Sequence, residues 1–155
     1  MRTLVFAMLA VFGFSASPVS SAVSSKRVFA CSFGAKQVLV TGSDANLAYR
    51  FGTKISDEIK LVGSPERENV HYLIDRFAHS YNQQLRFKNG AFSYVLFNRW
   101  SSADYQGKGA ENTSGLVVLR GKREIARMKC VSGEGFSESF DLSKLPTDSE
   151  DYSVF

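Results

Sequence analysis

The stretch that most constrains this chain is LRFKNGAFSYVLF, residues 85–97. Leu85 and Phe87 alternate with Arg86 and Lys88. After Asn89-Gly90 a second alternating run returns, with Phe92, Tyr94 and Leu96 on one face and Val95 and Phe97 on the other. Period-two alternation is the signature of a strand, and Asn-Gly supplies the positive φ angles of a type I′ hairpin turn. Apolar residues on both faces of the returning strand predict a central strand buried on two sides. A second hairpin is legible from Leu116–Leu119 through Gly121-Lys122 to Ile125–Cys130.

The same alternation recurs upstream. Val38 and Val40 alternate with polar neighbours, and Leu47, Tyr49 and Phe51 point opposite to Ala48 and Arg50. These runs predict a mainly β chain, a single small antiparallel barrel or sandwich of about six to eight strands. One segment resists that reading. In ENVHYLIDRFAHSY, Val70, Leu73, Ile74, Phe77 and Tyr81 recur at helical spacing, so a short helix near 67–80 competes with a strand.

Three regions follow from composition. Residues 1–22 carry Arg2, an apolar run from Leu4 to Phe14, and small residues up to Ala22, the layout of a secretory signal peptide. That run of 11 residues is too short to span a bilayer as a helix, so the protein is not expected to be transmembrane. Residues 26–132 form the expected β domain. Residues 133–155 are rich in Ser, Asp, Glu and Gly and read as a flexible acidic tail.

An exported chain is periplasmic or secreted, which gives the two cysteines a meaning. Cys31 and Cys130 stand near the two ends of the patterned region, and an oxidising compartment predicts one disulfide between them. Val28-Phe29-Ala30-Cys31 resembles a lipoprotein processing site, but Lys26 and Arg27 separate it from the apolar run.

Charge is segregated. Residues 26–132 hold 17 Lys/Arg against 9 Asp/Glu, a net of +8, and residues 133–155 hold one Lys against six acids, a net of −5. The basic body favours an anionic polymer or lipid as a possible partner, and the acidic end can screen it in cis. No nucleic-acid partner is expected.

Catalytic motifs are scarce. There is no Gly-x-Ser-x-Gly elbow, phosphate-cradling glycine loop or Cys-x-x-Cys, and both thiols are assigned to the disulfide. His71, Asp75 and His79, with Glu68, are the one metal-like grouping. Spread over two helical turns they do not converge on one ion, so neither a metal nor another cofactor is expected. No catalytic residues are assigned, and the chain is not expected to be an enzyme.

Binding is the better expectation. Residues 98–115, NRWSSADYQGKGAENTSG, read as a long loop leaving the hairpin, and long loops are often functional. Arg99, Trp100, Tyr105 and Lys108 lie there among small polar residues, and Trp, Tyr and Arg are the usual anchors of a binding surface. The expected role is a non-enzymatic envelope protein binding another macromolecule, a protein partner first, as an inhibitor or immunity protein does. The alternatives are an anionic cell-wall or lipid binder, or a hydrolase with an unrecognised site.

The order NLAYRFG, LRFKNGAFSYVLF, SGLVVLRGKREIARMKC resembles a group of small exported bacterial proteins over residues 28–131. That resemblance implies a periplasmic, disulfide-closed β domain and brings no catalytic residues. In size, signal peptide and paired cysteines the chain is also similar to periplasmic inhibitors of C-type lysozyme. The Ser-Gly loop and Tyr…Thr-Lys-Gly motif of those inhibitors are not present.

Overall fold

In the computed structural model, which describes residues 25–102 and 109–150, each alternating run is a strand. The opening stretch becomes β6 (Ser80–Asn89) and β7 (Phe92–Ser101). Asn89 pairs with Phe92, so the turn residues are Gly90 and Ala91, one position later than the Asn-Gly pair suggested. Gly90 alone takes a positive φ, 58°, the requirement of a type II′ turn. The register explains the shift, because it sets Phe87 opposite Tyr94 and Leu85 opposite Leu96 on the core face. The second hairpin, β8 (Glu111–Arg120) and β9 (Arg123–Lys129), turns the same way at Gly121, φ 59°. The Gly121 amide donates to the Ala91 carbonyl at 2.8 Å and ties the two turns together.

Upstream lie β1 (Lys26–Ser32), β2 (Lys36–Gly42), β3 (Leu47–Thr53) and β4 (Asp57–Gly63). A short 3-10 turn at Pro65–Arg67, capped by the Ser64 hydroxyl, then carries the chain to β5 (Val70–Phe77). With β10 (Ser132–Phe136) the described residues hold ten strands, more than the six to eight expected. They form two five-stranded antiparallel sheets, ordered β10-β1-β2-β3-β4 and β5-β6-β7-β8-β9, with no closed barrel. The sandwich is the correct half of the barrel-or-sandwich expectation.

The short helix near 67–80 is not formed, since Val70–Phe77 is strand. Val70, Leu73, Ile74 and Phe77 fit a helical spacing, but Val70, Tyr72 and Ile74 also fit period two. Pairing with β6 from Val70↔Phe87 to Phe77↔Ser80 selects the second pattern. Val70 is buried in the core, Tyr72 and Ile74 pack at its margin, and Phe77 is exposed at the strand end.

One core lies between the sheets. Phe29, Val38, Val40 and Tyr49 of the first meet Leu85, Phe87, Tyr94, Leu96 and Leu116 of the second. The Tyr49 ring sits 5.3 Å from Phe87 and 5.6 Å from Tyr94, centroid to centroid. Burying side chains of this size stabilises the fold by about 1.5–3 kcal/mol each. A second cluster, Val95, Phe97, Val117 and Leu119, is buried on the opposite face of the second sheet, as two-sided burial of β7 predicted.

Cys31 of β1 and Cys130, just past β9, form the disulfide with a Cα–Cα distance of 5.4 Å. At this corner the chain changes sheets. The Cys130 amide still donates to Ser114 of β8, whereas the Val131 amide donates to Ser32 of β1.

Residues 133–150 are part of the domain, and the flexible-tail expectation is corrected over that range. β10 pairs with β1, and Phe136 meets Phe29 ring to ring at 4.8 Å. Leu142, the first residue of a one-turn 3-10 helix, and Leu145, its C-cap, are each 3% exposed in the core. The Tyr72 amide then donates to Pro146, and the Asp148 amide to Tyr72, laying the chain along the free edge of β5. Residues 151–155, like residues 1–22 where a signal peptide is expected, lie outside the described residues.

Candidate binding surface

Strands β6, β7 and β8 are ten residues long, whereas β1 to β4 have seven each. The second sheet therefore runs past the first at one end. Along the inward-facing side burial falls rung by rung, from buried Leu96 and Leu116 to half-buried Asn98 and Ser114, which Gly135 of β10 approaches, and then to exposed Trp100 and Asn112. A Cβ on Gly135 would stand 2.6 Å from the Ser114 hydroxyl and 3.8 Å from the Asn98 carboxamide carbon. The next rung facing the same way has Arg76, Tyr81, Trp100 and Asn112 side by side across four strands. Trp100 is 44% exposed there, and the Arg76 guanidinium lies 5.3 Å from the centre of the Tyr81 ring. On the rung below, Gln83 pairs with Asn98, whose side-chain oxygen accepts from the Ser114 hydroxyl at 3.0 Å.

The expected loop of 98–115 is thus shorter. Arg99 and Trp100 belong to β7, and β8 begins at Glu111. Successive strand residues face opposite ways, so the structure does not bring Arg99 and Trp100 onto one surface. Arg99 sits in the rung of Asn82 and Thr113 on the outer face. It lines a cavity of about 280 Å³ with Phe97, Glu111, Thr113, Arg127 and Lys129. Charges of both signs meet there, and Arg127 is paired with Glu124 at 2.6 Å. Tyr105 and Lys108 lie outside the described residues.

A larger groove of about 720 Å³ crosses the outer face of the first sheet. Lys26, Arg50 and Lys144 alternate there with Asp44 and Asp141 around Val62 and Phe140. His71 and Asp75 fall four residues apart on one face of β5, which is roughly 13 Å along a strand. No three His, Cys, Asp or Glu among the described residues are placed to hold a metal ion. No helix among the described residues is long and apolar enough to cross a membrane.

Arg86, which alternates with Leu85 and Phe87 along β6, is 1% exposed. Its guanidinium pairs with Asp148 and Glu150, and Glu150 also pairs with Lys88. The Lys88 contact, with Arg86 adding to it, holds the Glu150 carboxyl below its usual range. Burial, then Lys88 and Arg86, pushes the neighbouring His71 imidazole down. The signal for this cluster was the segregation of charge: the acidic end screens the basic body in cis through these named pairs. Comparison of the chain with known protein families, characterised proteins and solved structures finds no match.

Proposed function

We propose that this is an exported, non-enzymatic protein that binds another macromolecule of the cell envelope through the overhanging end of its second sheet. The observation that carries this reading is Trp100. Residues 93–97 of the same strand are buried, yet three positions later a tryptophan is 44% exposed beside Tyr81. A large, rigid aromatic side chain left in water at the end of a well-ordered sheet is the usual form of a binding anchor. The signal-peptide layout of residues 1–22 and the disulfide support a periplasmic or secreted location. Both thiols are spent in that disulfide, and Asp148 and Glu150 in holding Arg86, which favours binding over catalysis.

The net charge of +8 over residues 26–132 favours a second reading, attraction to anionic cell-wall or lipid material. An affinity pull-down from envelope extract at low and high salt, using wild type and Trp100→Ala, separates the two. Retention that is lost in the variant at both salt levels supports the first. Retention that ignores the variant and fails in high salt supports the second.

A further inference from the structure

We infer that the overhanging rung is a glycan site, taking an uncharged oligosaccharide chain laid across β5 to β8 with a sugar ring stacked on Trp100. The inference rests on the reading that this end of the sheet is the binding surface, and it names the ligand class. A pyranose ring offers two kinds of surface, an apolar face of C–H groups and a rim of hydroxyl or acetamido groups. The rung offers the complement of both. Trp100 supplies an exposed indole, with Tyr81 on one side of it and carboxamides nearby: Asn112 on its other side, and Gln83 and Asn98 on the rung below. Each carboxamide both donates and accepts, as hydroxyls and acetamido groups require. The Asn98 oxygen already accepts from Ser114, which leaves its amide N–H groups as the donors.

Charge and shape point the same way. Arg76 is the single charged residue of the rung, and its guanidinium is engaged over the Tyr81 ring. A site for an anionic polymer would present several cations. Trp, Tyr and Arg also anchor protein interfaces, so it is the carboxamides flanking Trp100 that favour a sugar. The surface is an open sheet, and its three strand spacings cover about 14 Å, the reach of a short, extended sugar chain.

Trp100 is the one tryptophan of the chain, so intrinsic fluorescence reports the site directly. The probes are chitohexaose and cellohexaose, titrated into the purified protein at low and high salt, with the monosaccharides as controls. The expected result is a saturable change in Trp100 emission with one of the hexamers. Its affinity exceeds that of the monosaccharide and does not follow salt. Asn112→Ala, at an exposed position, should weaken that affinity severalfold with the melting curve unchanged. Trp100→Ala, followed by calorimetry, should weaken it at least about tenfold, the scale of a lost aromatic stack.

No response to either hexamer overturns the glycan inference. If Trp100→Ala still loses a retained protein from envelope extract, the binding surface stands and its partner is a protein. Binding abolished by salt overturns the inference in favour of an anionic polymer. Glycan binding unchanged in both variants overturns the assignment of the site.

Discussion

Replacing Asp148 with alanine tests whether the acidic end of the chain is a latch on the basic body. The Arg86 guanidinium is 1% exposed, and the Asp148 side chain opposite it 6%. Taking away that carboxylate leaves a buried cation beside Glu150, whose side chain is 46% exposed. Removing one member of a buried ion pair costs about 3–5 kcal/mol, because the remaining charge stays desolvated. Glu150 remains, so the expected cost lies at the lower end, about 3 kcal/mol. For a domain of this size that is a fall in melting temperature of roughly 10 °C. The double variant Arg86→Met with Asp148→Ala removes charge and acceptor together. It should recover most of the loss, since apolar replacement of a buried pair is often neutral. The assay is urea and thermal unfolding of wild type, single and double variants. A single variant within about 1 kcal/mol of wild type would refute the reasoning and mean that Arg86 is solvated when the protein is in solution.

Three further outcomes are expected. Leu145→Ala should cost about 2–5 kcal/mol in urea unfolding, because the side chain is 3% exposed in the shared core; a loss within measurement error would return residues 133–150 to the status of a tail. Thiol titration of the unreduced protein should find no reactive cysteine, and Cys31→Ala with Cys130→Ala should cost up to about 4.7 kcal/mol, the loop-entropy value for a sequence separation of 99. His71 is held below its ordinary 6.5 by burial and by Lys88 and Arg86, so the unfolded chain takes up this proton first on acidification. The stability linked to it is therefore complete above 6.5 and lost as pH falls from there toward the folded value, and His71→Gln should flatten that step in the melting-temperature profile.

Much of the fold was legible because a half-buried strand writes its burial into the sequence. Leu47, Tyr49 and Phe51 alternate because a core lies on one side of them, and Gly90 and Gly121 mark turns that other residues close poorly. The failures occurred where that coupling is absent or ambiguous. Val70 to Phe77 satisfied two periods at once, and only pairing with β6 decides between them. Residues 132–145 bury Leu142 and Leu145 and pack Phe136 against the core in a short strand and one turn, too brief for any period to show. The ends of β7 and β8 read as loop because, Trp100 apart, Asn98 to Ser101 and Glu111 to Ser114 are polar on both faces. They are strand nonetheless, held by their ladder where the sheet outruns the core. The same polarity concealed that Arg99 and Trp100 face opposite ways. Arg86 was illegible for a different reason: its acidic partners are more than sixty residues away, and only the net charge of that distant segment hinted at them.

The position of β10 has a consequence during synthesis. β1 is among the first strands to be made, but one of its two neighbours is built from residues 132–136. Until those residues appear, the edge bearing Val28 and Phe29 has open backbone donors and acceptors and an unpaired Cys31 beside it. A chain halted anywhere before residue 132 would keep that edge, which is a template for pairing with other chains. β10 thus decides whether the first strand ends inside a sheet or at the start of an aggregate.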